Sequence, residues 1–136
     1  MCLDLQRGYS SMVADEDIIC YKVIFNYCGC SKYRTFYQIS MIELGEKYHS
    51  KLELYTDGDT FDGHSIEMGL HTFCNLKDTK SFVRSKAGQY TNRDIVIAKC
   101  IIPKGSTYYK GIFRVRNKNI ESYASDTLQY EEIVTK

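Results

Sequence analysis

The chain has 136 residues, of which 43% are hydrophobic and 26% are charged, and its formal net charge is +1. This length and composition are ordinary for one globular domain, 1–136, that buries a sizeable core. No apolar run approaches the roughly 20 residues of a membrane-spanning helix, and the first residues, MCLDLQRGYSSMVADED, lack the apolar stretch of a secretory signal. The sequence therefore predicts a soluble, cytoplasmic protein.

The six cysteines of the chain are expected to be free thiols. Disulfides are rare in a reducing compartment, and Cys20 and Cys100 lie within strand-like runs, where a thiol behaves as a small buried hydrophobic group. Cys28 and Cys30 form a C-x-C pair, but a metal site would need two further ligands at a suitable spacing. No metal site is therefore predicted.

The first half of the chain is patterned for short strands. The run IICYKVIF over 18–25 is rich in β-branched and aromatic residues, is interrupted only by Lys22, and predicts a central strand. Shorter strands are expected around 42–44 and over 52–55. The segment 56–65 (TDGDTFDGHS) has the composition of an acidic surface loop.

The second half holds one predicted helix and the strongest predicted strand. Asn75 is of a type that caps helices, and it precedes a helix over 76–87 whose apolar residues share one face. The nearly continuous apolar run 95–102 predicts a strand buried on both faces, and Pro103 and Gly105 predict the turn after it. Short strands are then expected over 106–110, 112–115 and 128–134.

These elements predict an α+β fold: a single domain in which a curved mixed or antiparallel sheet of short strands carries one or two short helices. A second helix would lie in 1–15 or in 31–40, where the apolar period is weak. The segment 33–40 also fits an edge strand or an irregular connection.

The near-zero net charge hides a strong segregation of charge. Residues 77–118 carry eleven Lys and Arg against two Asp, a formal charge of +9, which leaves −8 for the rest of the chain. Such segments can neutralise each other in ordinary surface pairs, or the basic one can form a face that attracts an anionic ligand. Tyr90, Tyr108 and Tyr109 lie in the basic segment, and tyrosine rings can stack on a nucleobase.

Two further residues are candidates for a site. His71, in GLHTF, is flanked by apolar residues, and its imidazole either serves packing alone or contacts a ligand. Ser125 either has a fixed role in a site or caps a turn. The chain contains no P-loop, GxGxxG, GxSxG or HExxH motif, so no catalytic residue is predicted. The predicted ligand-binding residues are His71, Arg84, Lys99, Lys104, Tyr108, Tyr109 and Ser125.

Four stretches carry a resemblance when they are taken together: DIICYK over 17–22, GLHTF over 69–73, KCIIPKGSTYYKG over 99–111, and YASDTL over 123–128. In order and spacing they resemble a group of small uncharacterised proteins of tailed phages and gut bacteria, across most of 16–134. This resemblance implies a phage-type context and no particular activity.

A looser, fold-level similarity is to the ADP-ribosyltransferases, which hold NAD on a split, curved sheet. It implies that 18–25 is the first strand, that 69–71 holds the nicotinamide end, and that 123–125 is the strand that bears a serine. The chain departs from that family because its first strand has no Arg or His, and only Glu131 or Glu132 could supply the late glutamate.

The sequence favours a phage-type binding protein that holds an anionic nucleotide-like ligand without catalysis or cofactor, in an anti-defence or signal-sequestering role. One alternative is an NAD-using enzyme that resembles the ADP-ribosyltransferases, with His71, Tyr108, Ser125 and Glu132 as its site. Another is an interaction module that binds a host protein. Whether the chain is an enzyme stays open. A membrane partner is not expected, and the acidic half of the chain disfavours a long nucleic acid.

Overall fold

The structure is a computed structural model, and it describes residues 3–5, 10–27, 32–35, 41–56, 64–86, 95–115 and 118–135. The Cys28–Cys30 pair, most of the acidic loop and Tyr90 lie outside these ranges. The described elements are β1 (Leu3–Asp4), β2 (Met12–Val13), β3 (Ile18–Tyr27), β4 (Lys32–Thr35), β5 (Met41–Ile42), β6 (Lys47–His49), β7 (Glu53–Thr56), β8 (His64–Met68), β9 (Leu70–Phe73), α1 (Leu76–Lys86), β10 (Ile95–Ile102), β11 (Thr107–Val115), β12 (Lys118–Ser125) and β13 (Thr127–Thr135).

The fold is mainly β, so the predicted α+β class is wrong. The described residues form a large antiparallel sheet and one 11-residue helix. Where a second helix was expected, the segments 1–15 and 31–40 contain β1, β2 and β4. These short strands pair with β11, β8 and β3. Pairing with neighbouring strands therefore outweighs the weak local pattern of these segments, as is common for β structure.

The main path of the sheet runs β6-β13-β10-β3-β9-β12-β11-β1-β8-β7, with β2 beside β11, β4 beside β3, and β5 beside β4. The central ladder joins β3 to β10 over eight consecutive residue pairs, from Ile95–Phe25 to Ile102–Ile18. Both strands of this ladder lie where the sequence predicts its strongest strands. Because paired residues in an antiparallel ladder point to the same side, this ladder defines two faces. We call the face with Cys20 and Ile24 the inner face, and the face with Val23 and Phe25 the outer face.

The sheet curves around the inner face. Tyr48 on β6 and Tyr108 on β11 pack against the same inner cluster, although five strands separate β6 from β11. In a flat sheet they would lie about 29 Å apart, at roughly 4.8 Å per strand. The buried members of this cluster are Ala14, Cys20, Ile24, Ile42, Val96, Ala98, Cys100, Ile102, Leu128 and Tyr130.

Asp126 ties together the corner at which the curved sheet meets itself. Its backbone N–H donates to the Thr107 carbonyl (3.0 Å), and its carbonyl accepts from the Ser50 N–H (2.9 Å). Its carboxylate accepts from the Thr107 N–H (3.1 Å) and from the Thr127 hydroxyl (3.2 Å). One residue thus joins the end of β12 to the starts of β11 and β13 and to the segment after β6.

The helix covers part of the outer face. The Asn75 side chain caps it, because its Oδ1 accepts from the Asp78 N–H at 2.8 Å, so the predicted cap and helix start are confirmed. Phe82 packs on Phe73 and Phe113, with ring centroids 5.2 and 5.8 Å away. This helix is too short to cross a membrane, and no helix among the described residues could do so.

We expect Phe82→Ala to lower the free energy of unfolding by about 3–5 kcal/mol, because it leaves a cavity beneath the helix where the ring is 2% exposed. Chemical denaturation measures this loss. Arg84→Ala, an exposed change on the same helix, is the control and should cost no more than about 0.5 kcal/mol. Similar costs for the two variants would contradict the packing of α1 on the sheet.

Candidate functional site on the inner face of the sheet

The structure places two of the predicted ligand-binding residues side by side on the inner face. Tyr108 and Ser125 are directly paired across β11 and β12. The Tyr108 ring meets Tyr123 edge-on, with centroids 5.7 Å apart. The Ser125 hydroxyl is buried, lies 3.0 Å from the Thr127 carbonyl and 3.5 Å from the Leu70 carbonyl, and so serves as an internal tie.

His71 and Tyr109 lie on the other side of the same strands. Both are in register with Ala124, whose side chain faces outward between them. Tyr109 and Ala124 pack with Leu5, and the His71 side chain is 8% exposed. His71 and Tyr109 therefore form one row on the outer face, and Tyr108 and Ser125 form another on the inner face.

The three predicted cations lie apart from both rows. Lys99 makes ion pairs with Glu131 (3.1 Å) and Glu132 (3.9 Å). The hydrogen bond and the charge of Glu131, with a smaller contribution from Glu132, raise the pKa of Lys99. Lys104 is exposed in the turn after β10, and Arg84 is exposed on α1. At Lys99, the basic segment is thus neutralised by the acidic end of the chain.

Lys22 is a cation that the fold places on the inner face, as it also places Lys110 on β11. It stands between Cys20 and Ile24 on β3, and across the ladder it faces Ala98, whose small side chain leaves room for the lysine stem. Its Nζ donates to the His71 carbonyl at 2.7 Å. Because β3 and β9 are in register only at Tyr21–Phe73, this carbonyl lies beyond their pairing and takes the ammonium as its partner.

The environment of Lys22 disfavours its charge. No ion pair among the described residues involves Lys22, whereas Lys99 has two carboxylates. Burial lowers the pKa of Lys22, and the nearby thiols of Cys100 and Cys20 act more weakly in the opposite direction. Lys22 is thus a part-buried cation whose only described hydrogen-bond partner is a neutral carbonyl.

Thr72 supplies a second polar group at the same place. The residue is 1% exposed, and its Oγ1 has no hydrogen-bond partner within the described ranges. Its hydroxyl lies near the Cys20 thiol and lowers that thiol's pKa, against the larger effect of burial. A buried hydroxyl without a partner costs about 1–3 kcal/mol, a cost that a bound polar group would relieve.

Tyr123 extends this polar strip toward β11. It is directly paired with Thr72 on β9 and with Lys110 on β11. Its hydroxyl interacts with the Cys74 thiol, and burial raises the pKa of both groups, that of Cys74 to about 11. Both groups therefore stay protonated at neutral pH and can act as neutral hydrogen-bond donors.

The thiols of the inner face are free and unreactive. Cys20 and Cys100 face each other across the central ladder, and both are fully buried. Burial raises the pKa of Cys20 to about 12 and that of Cys100 well above its usual value. They match the buried thiols that the sequence predicts, and as protonated thiols they are poor nucleophiles.

We call Lys22, Thr72, Tyr123 and Tyr108 the inner-face site. Its members belong to four adjacent strands, β3, β9, β12 and β11. Two strand spacings, roughly 10 Å, separate β3 from β12. The site offers a cation at one end, hydroxyl groups between, and aromatic ring edges at the other, which suits a small anionic molecule with a planar part.

The sequence did not point to Lys22 or Thr72 as site residues. The available signal was the single lysine within the apolar run 18–25, which a strand buried on both faces must place in the interior. In the described part of the chain, no cluster of three or more His, Cys, Asp and Glu residues could hold a metal ion.

Comparisons with known proteins found no relative of this chain. The chain matches no protein-family model, no curated protein and no solved structure. The resemblances to phage proteins and to ADP-ribosyltransferases therefore stay predictions.

We expect Lys22→Met to change the pH dependence of stability. The pKa of Lys22 in the folded protein lies below its usual 10.5. At pH values between the folded-state pKa and 10.5, the unfolded chain therefore binds more protons than the folded protein does. The wild type should then gain stability relative to the variant as pH rises toward 10.5, by about 1.4 kcal/mol per unit of pKa difference.

Urea unfolding of both proteins over this pH range measures the gain. Lys99→Met is the control. Because the pKa of Lys99 in the folded protein lies above 10.5, Lys99 changes the pH dependence of stability only above pH 10.5. A stability difference between Lys22→Met and wild type that stays constant with pH would contradict the lowered pKa of this part-buried ammonium.

Proposed function

We propose that the protein is a phage-type, cytoplasmic binding protein that holds a small anionic, nucleotide-like ligand at the inner-face site without catalysing a reaction. The observation that carries this proposal is Lys22, a part-buried ammonium that no carboxylate neutralises among the described residues. A bound phosphate or carboxylate would supply the missing negative charge, and the low dielectric around it would strengthen the attraction.

The other groups of the site fit the remainder of such a ligand. The Thr72 hydroxyl lacks a partner that a ligand oxygen could provide. Tyr108 and Tyr123 are part-buried, their ring centroids are 5.7 Å apart, and they lie on the third and second strands from that of Lys22, where a planar part of a ligand could pack against them. In this role the protein would sequester a small anionic signal, as an anti-defence protein of a phage does.

The two alternatives from the sequence have less support. An NAD-using enzyme would need His71, Tyr108, Ser125 and Glu132 at one site, but Tyr108 and Ser125 are on the inner face while His71 is on the outer face. Glu132 is in register with Lys99, its ion-pair partner. For binding of a host protein, we find no feature that identifies the partner.

The test is a thermal-shift and calorimetric titration with AMP, cyclic AMP and ADP-ribose, and with adenosine as the uncharged comparison. We expect at least one of the anionic compounds to stabilise the wild type, by about 2.7 kcal/mol at a concentration of 100 Kd, and adenosine to have a much smaller effect. Lys22→Met should lose this stabilisation.

Lys118→Met is the matched control, because it makes the same chemical change at an exposed lysine on β12 outside the site. It should bind as the wild type does. No stabilisation of a folded wild type by any of the anionic compounds, or equal loss in both variants, would refute the proposal.

A further inference from the structure

We propose that Lys22 is also a covalent site, at which its amine captures a small aldehyde or 2-oxo acid as an imine. This inference goes beyond the proposed function and does not depend on it, because it concerns the uncharged amine of Lys22 rather than its ammonium. It would give the protein a reversible way to hold a carbonyl compound on the inner face.

The chemistry is balanced without a further reagent. The amine nitrogen forms a bond to the carbonyl carbon, and the electron pair of the C=O π bond moves to oxygen. The nitrogen then gives up both of its protons to that oxygen, which leaves as water while the C=N bond forms. The products are one imine and one water molecule, and hydrolysis reverses the reaction.

The surroundings of Lys22 favour this reaction over reaction at Lys99. A lysine becomes a nucleophile only when it loses its proton, and carboxylates oppose that loss. Lys99 has Glu131 and Glu132 within 4 Å. The partner of Lys22 is instead the His71 carbonyl at 2.7 Å, which holds the nitrogen in place and carries no charge. Burial lowers the pKa of Lys22, whereas the glutamates raise that of Lys99.

The neighbouring groups complete the site. The buried Thr72 hydroxyl has no described hydrogen-bond partner and can donate to the carbonyl oxygen as that oxygen gains charge. Cys20 does not compete for the carbonyl carbon, because burial keeps its thiol protonated. Lys22 is only partly buried, so a small molecule can reach it from solvent.

The experiment uses glyoxylate as the probe, with the whole folded chain near neutral pH and cyanoborohydride to trap the imine. Peptide mass spectrometry over a time course then gives the rate of modification at each lysine. We expect Lys22 to react faster than Lys99, since the free-amine fraction at neutral pH rises as the pKa falls, about tenfold for each unit of pKa difference. The preference should disappear when the chain is unfolded in urea.

Thr72→Val tests the hydrogen bond from the Thr72 hydroxyl to the carbonyl oxygen. It should slow modification of Lys22 severalfold and leave the rate at exposed Lys118 unchanged. Circular dichroism shows whether the variant and the glyoxylate-treated wild type stay folded.

Three results would overturn the inference: a rate at Lys22 no higher than at Lys99, a preference for Lys22 that persists in urea, or an unchanged Lys22 rate in folded Thr72→Val. Failure of nucleotide binding would leave the inference standing, because the trapping reaction uses no nucleotide. Lack of imine formation would in turn leave the binding proposal intact.

Discussion

The ladder between β3 and β10 is the constraint on which the rest of the structure depends. Eight residue pairs in unbroken register bring two apolar runs together from positions about 77 residues apart in the chain. Slipping this register by one residue would move every side chain of β3 to the opposite face. The buried cluster on the inner face and the aromatic cluster under α1 would then both be lost, so burial of the two clusters stabilises this register in addition to the hydrogen bonds.

The same register also imposes a cost in free energy, because it places Lys22 against the core. A strand with apolar residues on both faces has no polar side to receive Lys22, so its ammonium enters the protein between Cys20 and Ile24. The fold limits the cost in two ways. Ala98 opposite leaves space for the lysine stem, and the end of the β3–β9 pairing exposes the His71 carbonyl to the ammonium. Neither provides a counter-charge, so the cost is only partly offset.

Local sequence patterns correctly predicted the elements that their own residues determine. The helix start follows from Asn75 and the apolar face after it, and the strands at 18–25 and 95–102 follow from their apolar runs. The class was missed because β1, β2 and β4 are only two to four residues long. β4 pairs with the preceding strand β3, whereas β1 and β2 pair with strands far away in the chain, and no local pattern contains that information.

The site could be predicted only in part, for a related reason. The sequence identified which residues have useful chemistry, but the face on which each one lies depends on the parity of its position in a strand. Tyr108 and Tyr109 are neighbours in the chain and therefore face opposite sides of the sheet. Likewise, the segment from 77 to 118 is basic as a sequence, yet at Lys99 its charge is cancelled by the final strand. Lys22, from outside that segment, is by contrast a part-buried cation with no carboxylate partner among the described residues. Charge available to a ligand thus depends on the pairing of strands, and counting charges along the chain does not reveal it.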